Sequence, residues 1–179
     1  MTAAEYQEKI KGTLISEGEI QQRIREVGAE ITETYQGKSL VLISVLKGAF
    51  VFLADLCRTI DLPCEIEFIR ARSYYDGTVS SGEAKLALSL ERDIRDRHVI
   101  VVEDIIDTGI TLQKVIDELE KRHPRSLQIV TLLDKPSRRQ NGLTADISLF
   151  MIPDKFVVGY GLDCGEYYRN LPCIAEYAG

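Results

Sequence analysis

An α/β domain with a mainly parallel sheet flanked by helices is what this sequence predicts, and three observations lead there. Through the first two thirds of the chain, short β-branched runs alternate with stretches of helical apolar period. Several of those runs are apolar at nearly every position, the pattern of strands covered on both faces. The 179 residues, 45% hydrophobic and 28% charged, suit one soluble domain over 1–179 with room for a substantial core.

Taken in order, Ser16-Glu17-Gly18-Glu19 reads as a capping box, after which Ile20, Ile24, Val27 and Ile31 keep helical spacing until Gly37. Ser39 to Leu46 is a doubly covered strand, and Gly48 to Ile60 a helix that Asp61-Leu62-Pro63 breaks before a strand at Glu65 to Ala71. Arg72 to Lys85 is polar and rich in Gly, Ser and Tyr. It predicts a long surface loop or hairpin, and loops of that length often serve as lids. Leu86 to Leu90 is a short strand and His98 to Val102 a buried one. Ile110, Leu112, Val115, Ile116 and Leu119 form the buried face of a helix ended by Pro124. Leu127 to Leu133 and Ile147 to Ile152 complete the strands, with a shorter one at Phe156 to Tyr160.

Composition excludes several functions. The net charge of −6 argues against a nucleic-acid binder dominated by phosphate contacts. An acidic chain with a polyanionic substrate needs metal ions to help. Cys57, Cys64, Cys164 and Cys173 form no Cys-x-x-Cys pair, and with only His98 and His123 to join them a zinc site is not expected. No basic N-terminus leads into an apolar segment, and the stretch Ala49 to Leu56 is too short to span a bilayer and contains Asp55. A cytoplasmic protein with free thiols and no membrane partner is the expectation. Neither the P-loop nor the dinucleotide glycine motif occurs.

The chemistry concentrates in one string, Val99-Ile100-Val101-Val102-Glu103-Asp104-Ile105-Ile106-Asp107-Thr108-Gly109-Ile110-Thr111. A buried strand ends on two adjacent carboxylates, Glu103 and Asp104, which point to opposite faces. Acids crowded beside an apolar core call for hydroxyls or cations to receive them. After Asp107, a Thr-Gly turn opens a helix whose free N–H groups and positive dipole end suit an anion, with Thr108 and Thr111 hydroxyls at hand. Asp107 could equally be a plain capping residue, but Gly109 permits close backbone approach to a ligand. Carboxylates on one side and an anion cradle on the other suit a phosphorylated sugar bound with a divalent cation. Lys47-Gly48 also sits where a strand meets a helix at the ligand-binding edge of such sheets.

That string resembles the phosphoribosyl-diphosphate signature of the purine phosphoribosyltransferases. Leu46-Lys47-Gly48, Ser73-Tyr74, Lys135-Pro136 and Ile152-Pro153-Asp154-Lys155-Phe156-Val157-Val158-Gly159-Tyr160 are similar to the remaining landmarks of the hypoxanthine-guanine group, in the same order. The resemblance implies the phosphoribosyltransferase fold with a small C-terminal hood, formed mainly by about 135–179 with N-terminal residues. It implies transfer of a 5-phosphoribosyl group from phosphoribosyl diphosphate to N9 of hypoxanthine or guanine, with Mg2+, in a homodimer or homotetramer.

Roles follow on the same resemblance. Glu103 and Asp104 would meet the ribose hydroxyls directly or through magnesium, and Asp107 would shuttle the purine N7 proton. Asp107, Thr108, Gly109, Ile110 and Thr111 would hold the 5-phosphate. Lys47, Gly48 and Arg169 would hold pyrophosphate, with the Leu46–Lys47 peptide often cis. Ser73 and Tyr74 would belong to a lid that excludes water from a ribosyl centre prone to hydrolysis. Lys135 would donate to the 6-oxygen, Phe156 stack on the base and the Val157 backbone read its edge. Asp163 would ligate a second metal beside the purine site. Two rivals remain: an RNA-binding regulator on the same fold, which would lack the Lys135 and Phe156 pocket, and a transferase preferring xanthine or a pyrimidine. Gly161, Cys164 and Gly165 leave the base preference open.

Overall fold

The structure is a computed structural model and describes residues 8–70, 73–74, 85–86 and 90–178. Strand β1 (Ile10–Ile15) and helix α1 (Glu17–Thr34) lead into β2 (Leu40–Leu46), α2 (Phe50–Thr59) and β3 (Cys64–Arg70). The short strands β4 (Ser73–Tyr74) and β5 (Lys85–Leu86) precede β6 (His98–Ile106), α3 (Ile110–Glu120) and β7 (Ser126–Asp134). A 3₁₀ turn at Pro136–Arg138, β8 (Ile147–Met151), β9 (Val157–Val158) and β10 (Ile174–Tyr177) complete the order.

Five strands make one sheet in the order β3-β2-β6-β7-β8, every neighbouring pair parallel. Alternation along β2 sends Leu40 and Leu42 to the core shared with α1 and α2, and Val41 and Ile43 to the core shared with α3. Both faces are therefore covered, which is why these strands read as unbroken apolar runs. The capping box forms as expected: Glu19 Oε2 accepts from Ser16 N–H at 2.8 Å, and Ser16 Oγ accepts from Glu19 N–H at 3.4 Å.

Several element ends shift by a few residues from the sequence expectation, and two of the shifts have a clear backbone cause. Strand β6 continues past Val102 to Ile106, because Glu103 and Ile105 keep pairing with Thr131 and Leu133 of β7. Backbone pairing, not apolarity, sets that end. Strand β9 stops at Val158, because Gly159 (φ +102°) and Tyr160 (φ +51°) turn left-handed and end the ladder.

A second, antiparallel sheet in the order β1-β10-β9 has two strands that the periodicity did not reveal. Val158, Tyr168, Ala175 and Tyr177 form its own core, while Val157, Tyr160, Leu162 and Ile174 belong to the main core below. A polar clasp adds to this join. The Tyr160 hydroxyl donates to Asp55 of α2, and Gln21 of α1 donates to Asp55 at 2.8 Å and to the Tyr160 oxygen at 3.1 Å. Burial and the neighbouring carboxylate push the Tyr160 phenol far above its ordinary range.

The ends of the expected loop pair with each other, Ser73 with Leu86 and Tyr74 with Lys85. The stretch 75–84 between them, and with it the lid, lies outside the described residues, as do 87–89 of the expected strand at Leu86 to Leu90. No helix among the described residues is long and apolar enough to cross a membrane.

Candidate active site

Parallel strands put all their C-terminal ends at one edge, and the loops after β2, β6 and β7 meet there. The Lys135 N–H donates to the Ile106 carbonyl at 3.0 Å, so the Asp107 turn and the Lys135 turn leave the sheet side by side.

Glu103, Asp107, Thr108, Gly109 and Thr111 line one cavity of about 160 Å³. Helix α3 begins beside it with Gly109 as N-cap at φ +80° and no side-chain capping bond from that residue. Its first-turn N–H groups are thus left for another acceptor, apart from Ile110 N–H, which reaches Thr108 Oγ1 at 3.4 Å. Asn141 Nδ2 donates to the Gly109 carbonyl at 3.1 Å, and a Cβ on Gly109 would lie 2.5 Å from Asn141 Oδ1. Glycine is required there both by φ and by space. Ile110 itself is exposed and outside the cavity lining.

The two adjacent acids serve different neighbours. Glu103 faces that cavity, while Asp104 packs against bare backbone: a Cβ on Gly48 would fall 1.4 Å from its Oδ2. Burial, then the charge of Asp104 and a hydrogen bond with it, hold the Glu103 carboxyl well above the usual carboxylate range. Burial raises Asp104 as well, although the Ile105 N–H donates to its Oδ1 at 2.8 Å. A cation would relieve this crowding, and carboxylate oxygens are the donors magnesium takes, one or two of them with substrate oxygens completing the shell. The residues therefore fit a magnesium ion. Among the described residues no three His, Cys, Asp or Glu side chains converge on one metal position. Asp163 stands apart, with Oδ1 2.8 Å from Arg169 and Oδ2 accepting from Glu166 N–H at 2.8 Å.

Asp107 has a partner that sequence reasoning missed. Arg138 Nε donates to its Oδ1 at 3.1 Å, and the same guanidinium lies 3.7 Å from Asp154, itself 3.9 Å from Lys135 Nζ. The Asp107 carboxylate raises the Arg138 pKa further. The available signal was an arginine pair immediately after a strand end on the ligand edge. Lys135 is buried, yet its nearest anion is beyond hydrogen-bond range. Phe156 is 56% exposed although a phenylalanine is ordinarily core; its ring stands 5.5 Å from that of Tyr177. Val157 is buried and pairs with Glu176.

Lys47, Gly48 and Arg169 gather at the other end. The Leu46–Lys47 peptide is cis. Arg169 donates to the Gly161 carbonyl at 2.7 Å, and a Cβ on Gly161 would lie 2.1 Å from the Gly48 carbonyl oxygen. Glu166, another residue not singled out from sequence, joins both cations: its Oε2 is 2.9 Å from Lys47 Nζ and 3.2 Å from Arg169. They hold its carboxyl below the ordinary glutamate value. Nothing local in the sequence announces this, because it depends on a left-handed Glu166 (φ +71°).

Residues 14–164 match the family model described as phosphoribosyl transferase domain. The hypoxanthine-guanine phosphoribosyltransferase of Bacillus subtilis is 48% identical over 165 residues, covering 92% of this chain and 92% of its own length. The hypoxanthine phosphoribosyltransferase of Salmonella typhimurium is 47% identical over 165 residues, 91% of this chain and 93% of the relative. Among solved structures, the hypoxanthine phosphoribosyltransferase of Staphylococcus aureus superposes with TM-score 0.89 at 42% identity, covering 99% of this chain and 96% of that one.

Proposed function

The chain belongs to the phosphoribosyltransferase family, and from that premise we propose that it moves the 5-phosphoribosyl group of phosphoribosyl diphosphate to N9 of hypoxanthine or guanine. The products are IMP or GMP and pyrophosphate. One observation carries the reading: Glu103 shares a single cavity with the Asp107–Thr111 turn at an uncapped helix start. Acids able to meet ribose hydroxyls thus adjoin N–H groups able to meet the 5-phosphate.

Asp107 is the acid–base group, taking and returning the proton at purine N7 while Arg138 keeps its carboxylate oriented. Lys135, buried and without a close anion, donates to the 6-oxygen of the base. Adenine would present an amino donor to that ammonium, so 6-oxopurines are favoured through satisfied polar groups. Phe156 is exposed where a flat base can stack, and the Val157 backbone reads the base edge. Lys47, Gly48 and Arg169 hold the diphosphate, and the lid that begins at Ser73 and Tyr74 closes over it. Glu103 and Asp104, with Asp163 at a second position, hold Mg2+, which when bound screens the diphosphate and eases its departure.

The small β1-β10-β9 sheet is the hood, built mainly from about 135–179 with the N-terminal strand. The chain works as a homodimer or homotetramer; Phe50, Ile66 and Phe68 leave large apolar side chains at the surface, as interfaces do. It resides in the cytoplasm, in keeping with four unpaired cysteines. It takes no nucleic-acid or membrane partner.

The test mixes the full chain with Mg2+, phosphoribosyl diphosphate and each of five nucleobases, and measures pyrophosphate and nucleotide. Hypoxanthine and guanine should react and adenine should not. Turnover of adenine or a pyrimidine alone would overturn the base assignment, and salt-sensitive RNA retention without purine turnover would overturn the reaction.

A further inference from the structure

The two cations assigned to pyrophosphate are already engaged. Lys47 Nζ lies 2.9 Å and Arg169 3.2 Å from the same oxygen of Glu166. The remaining Arg169 bonds go to the Gly161 carbonyl and to Asp163, and its Nε is buried with no partner. Among the described residues Glu166 is therefore the exposed anion at this corner: its side chain is 63% exposed, whereas Asp163 is largely enclosed at 29%. The Glu166 N–H is separately tied to Asp163 Oδ2 at 2.8 Å, so the carboxylate can swing away while its backbone stays fixed. Phe50, Phe68 and Leu46 wall the adjoining hollow of about 460 Å³, so the displaced carboxylate turns to water, to which it is already open, rather than into that apolar space.

We propose that Glu166 is a resident counter-anion that competes with the diphosphate for Lys47 and Arg169. It rests on the phosphoribosyl-transfer reading and adds a residue that sets how firmly pyrophosphate is held. A carboxylate that must leave before a diphosphate binds lowers diphosphate affinity by the strength of the pairs it gives up. The Glu166 carboxylate is solvent-exposed in both pairs, although Arg169 is largely enclosed, so the effect is modest. The exchange also keeps the two cations from repelling each other in the free enzyme, and it speeds release of a polyanionic product.

The experiment is calorimetric titration of magnesium pyrophosphate into the full chain and into Glu166→Gln and Glu166→Asn, with IMP titrated in parallel. Glu166→Gln should bind pyrophosphate roughly 3- to 10-fold more tightly, the loss of two surface pairs. IMP affinity should stay the same, since its phosphate belongs to the Asp107–Thr111 turn. Glu166→Asn suits the left-handed backbone at least as well as glutamate, so a folded variant is at hand. Unchanged or weaker pyrophosphate binding in both variants, with IMP unaffected, overturns the proposal. A wild-type chain that binds neither pyrophosphate nor IMP overturns the transferase reading instead.

Discussion

The two ends of the site proposed to bind anions are prepared in opposite ways. At the α3 end, a cavity is open, the helix start lacks a capping side chain, and Asn141 fixes the turn from outside. At the hood end, Lys47 and Arg169 are neutralised by Glu166 and Asp163, and close contacts fill the space between loops. The first end is preorganised and needs no rearrangement to take a phosphate. The second must trade partners. That contrast suits a reaction whose product keeps its phosphate while the diphosphate must leave.

The largest effect is expected between the two ends, at Asp107, the group proposed for proton transfer. Asp107→Ala should cut kcat by about 10²- to 10⁴-fold with far less change in the KM for phosphoribosyl diphosphate. Steady-state kinetics decides, and unchanged kcat would remove the acid–base role.

Preorganisation at the α3 end is tested next. Gly109→Ala places a Cβ against Asn141 in a left-handed backbone, costing roughly 1–3 kcal/mol at that turn. Binding of IMP should weaken by about tenfold or more. Pyrophosphate binding should hold, and equal loss of both would mean that the ends are not independent.

Phe156→Ala should raise the apparent KM for the base by about tenfold, the scale of one aromatic stack on a nucleobase, and leave pyrophosphate binding alone. A variant with normal base affinity would deny the stacking role.

The smallest effect lies away from both ends. His98, at the opposite edge of the sheet, bonds Ser126 through Nδ1 at 2.7 Å, and burial, then Lys38 and Arg125, hold its imidazole pKa below normal. A histidine whose folded pKa is depressed takes its proton more readily when unfolded. Stability should therefore fall as pH drops below about 6.5. His98→Gln should flatten the fall in Tm between pH 7.5 and pH 5.5 and leave turnover at pH 7.5 unchanged. An identical pH slope in the variant would show that His98 does not contribute.

The main sheet was legible because its physics is local: β2 and β6 are apolar at successive positions, and the Ser16–Glu19 box is written in four adjacent letters. Of the second sheet only β9 was, the hood itself coming from the resemblance. Ile10–Ile15 carries Lys11, Gly12 and Thr13, Ile174–Tyr177 is short, and each finds its partner only across the length of the chain. The site divides the same way. The acids and the Thr-Gly turn stood out on their own chemistry, and resemblance supplied roles for Lys135, Phe156 and Arg169. Arg138 and Glu166 take their places through geometry, one from a 3₁₀ turn and one from a left-handed residue; only Arg138 carried a hint, in the arginine pair after a strand end.

Gly48 meets the Asp104 carboxylate on one side and, through its carbonyl, the Gly161 backbone on the other, with no side chain of its own to cushion either contact. Three stretches far apart in sequence are thus stacked with the Gly48 backbone as the middle layer, held between a carboxylate and a peptide. A tilt of the C-terminal segment reaches the Asp104 carboxylate through a single backbone layer, the Gly48 peptide. Neither glycine can be enlarged without prying that stack open.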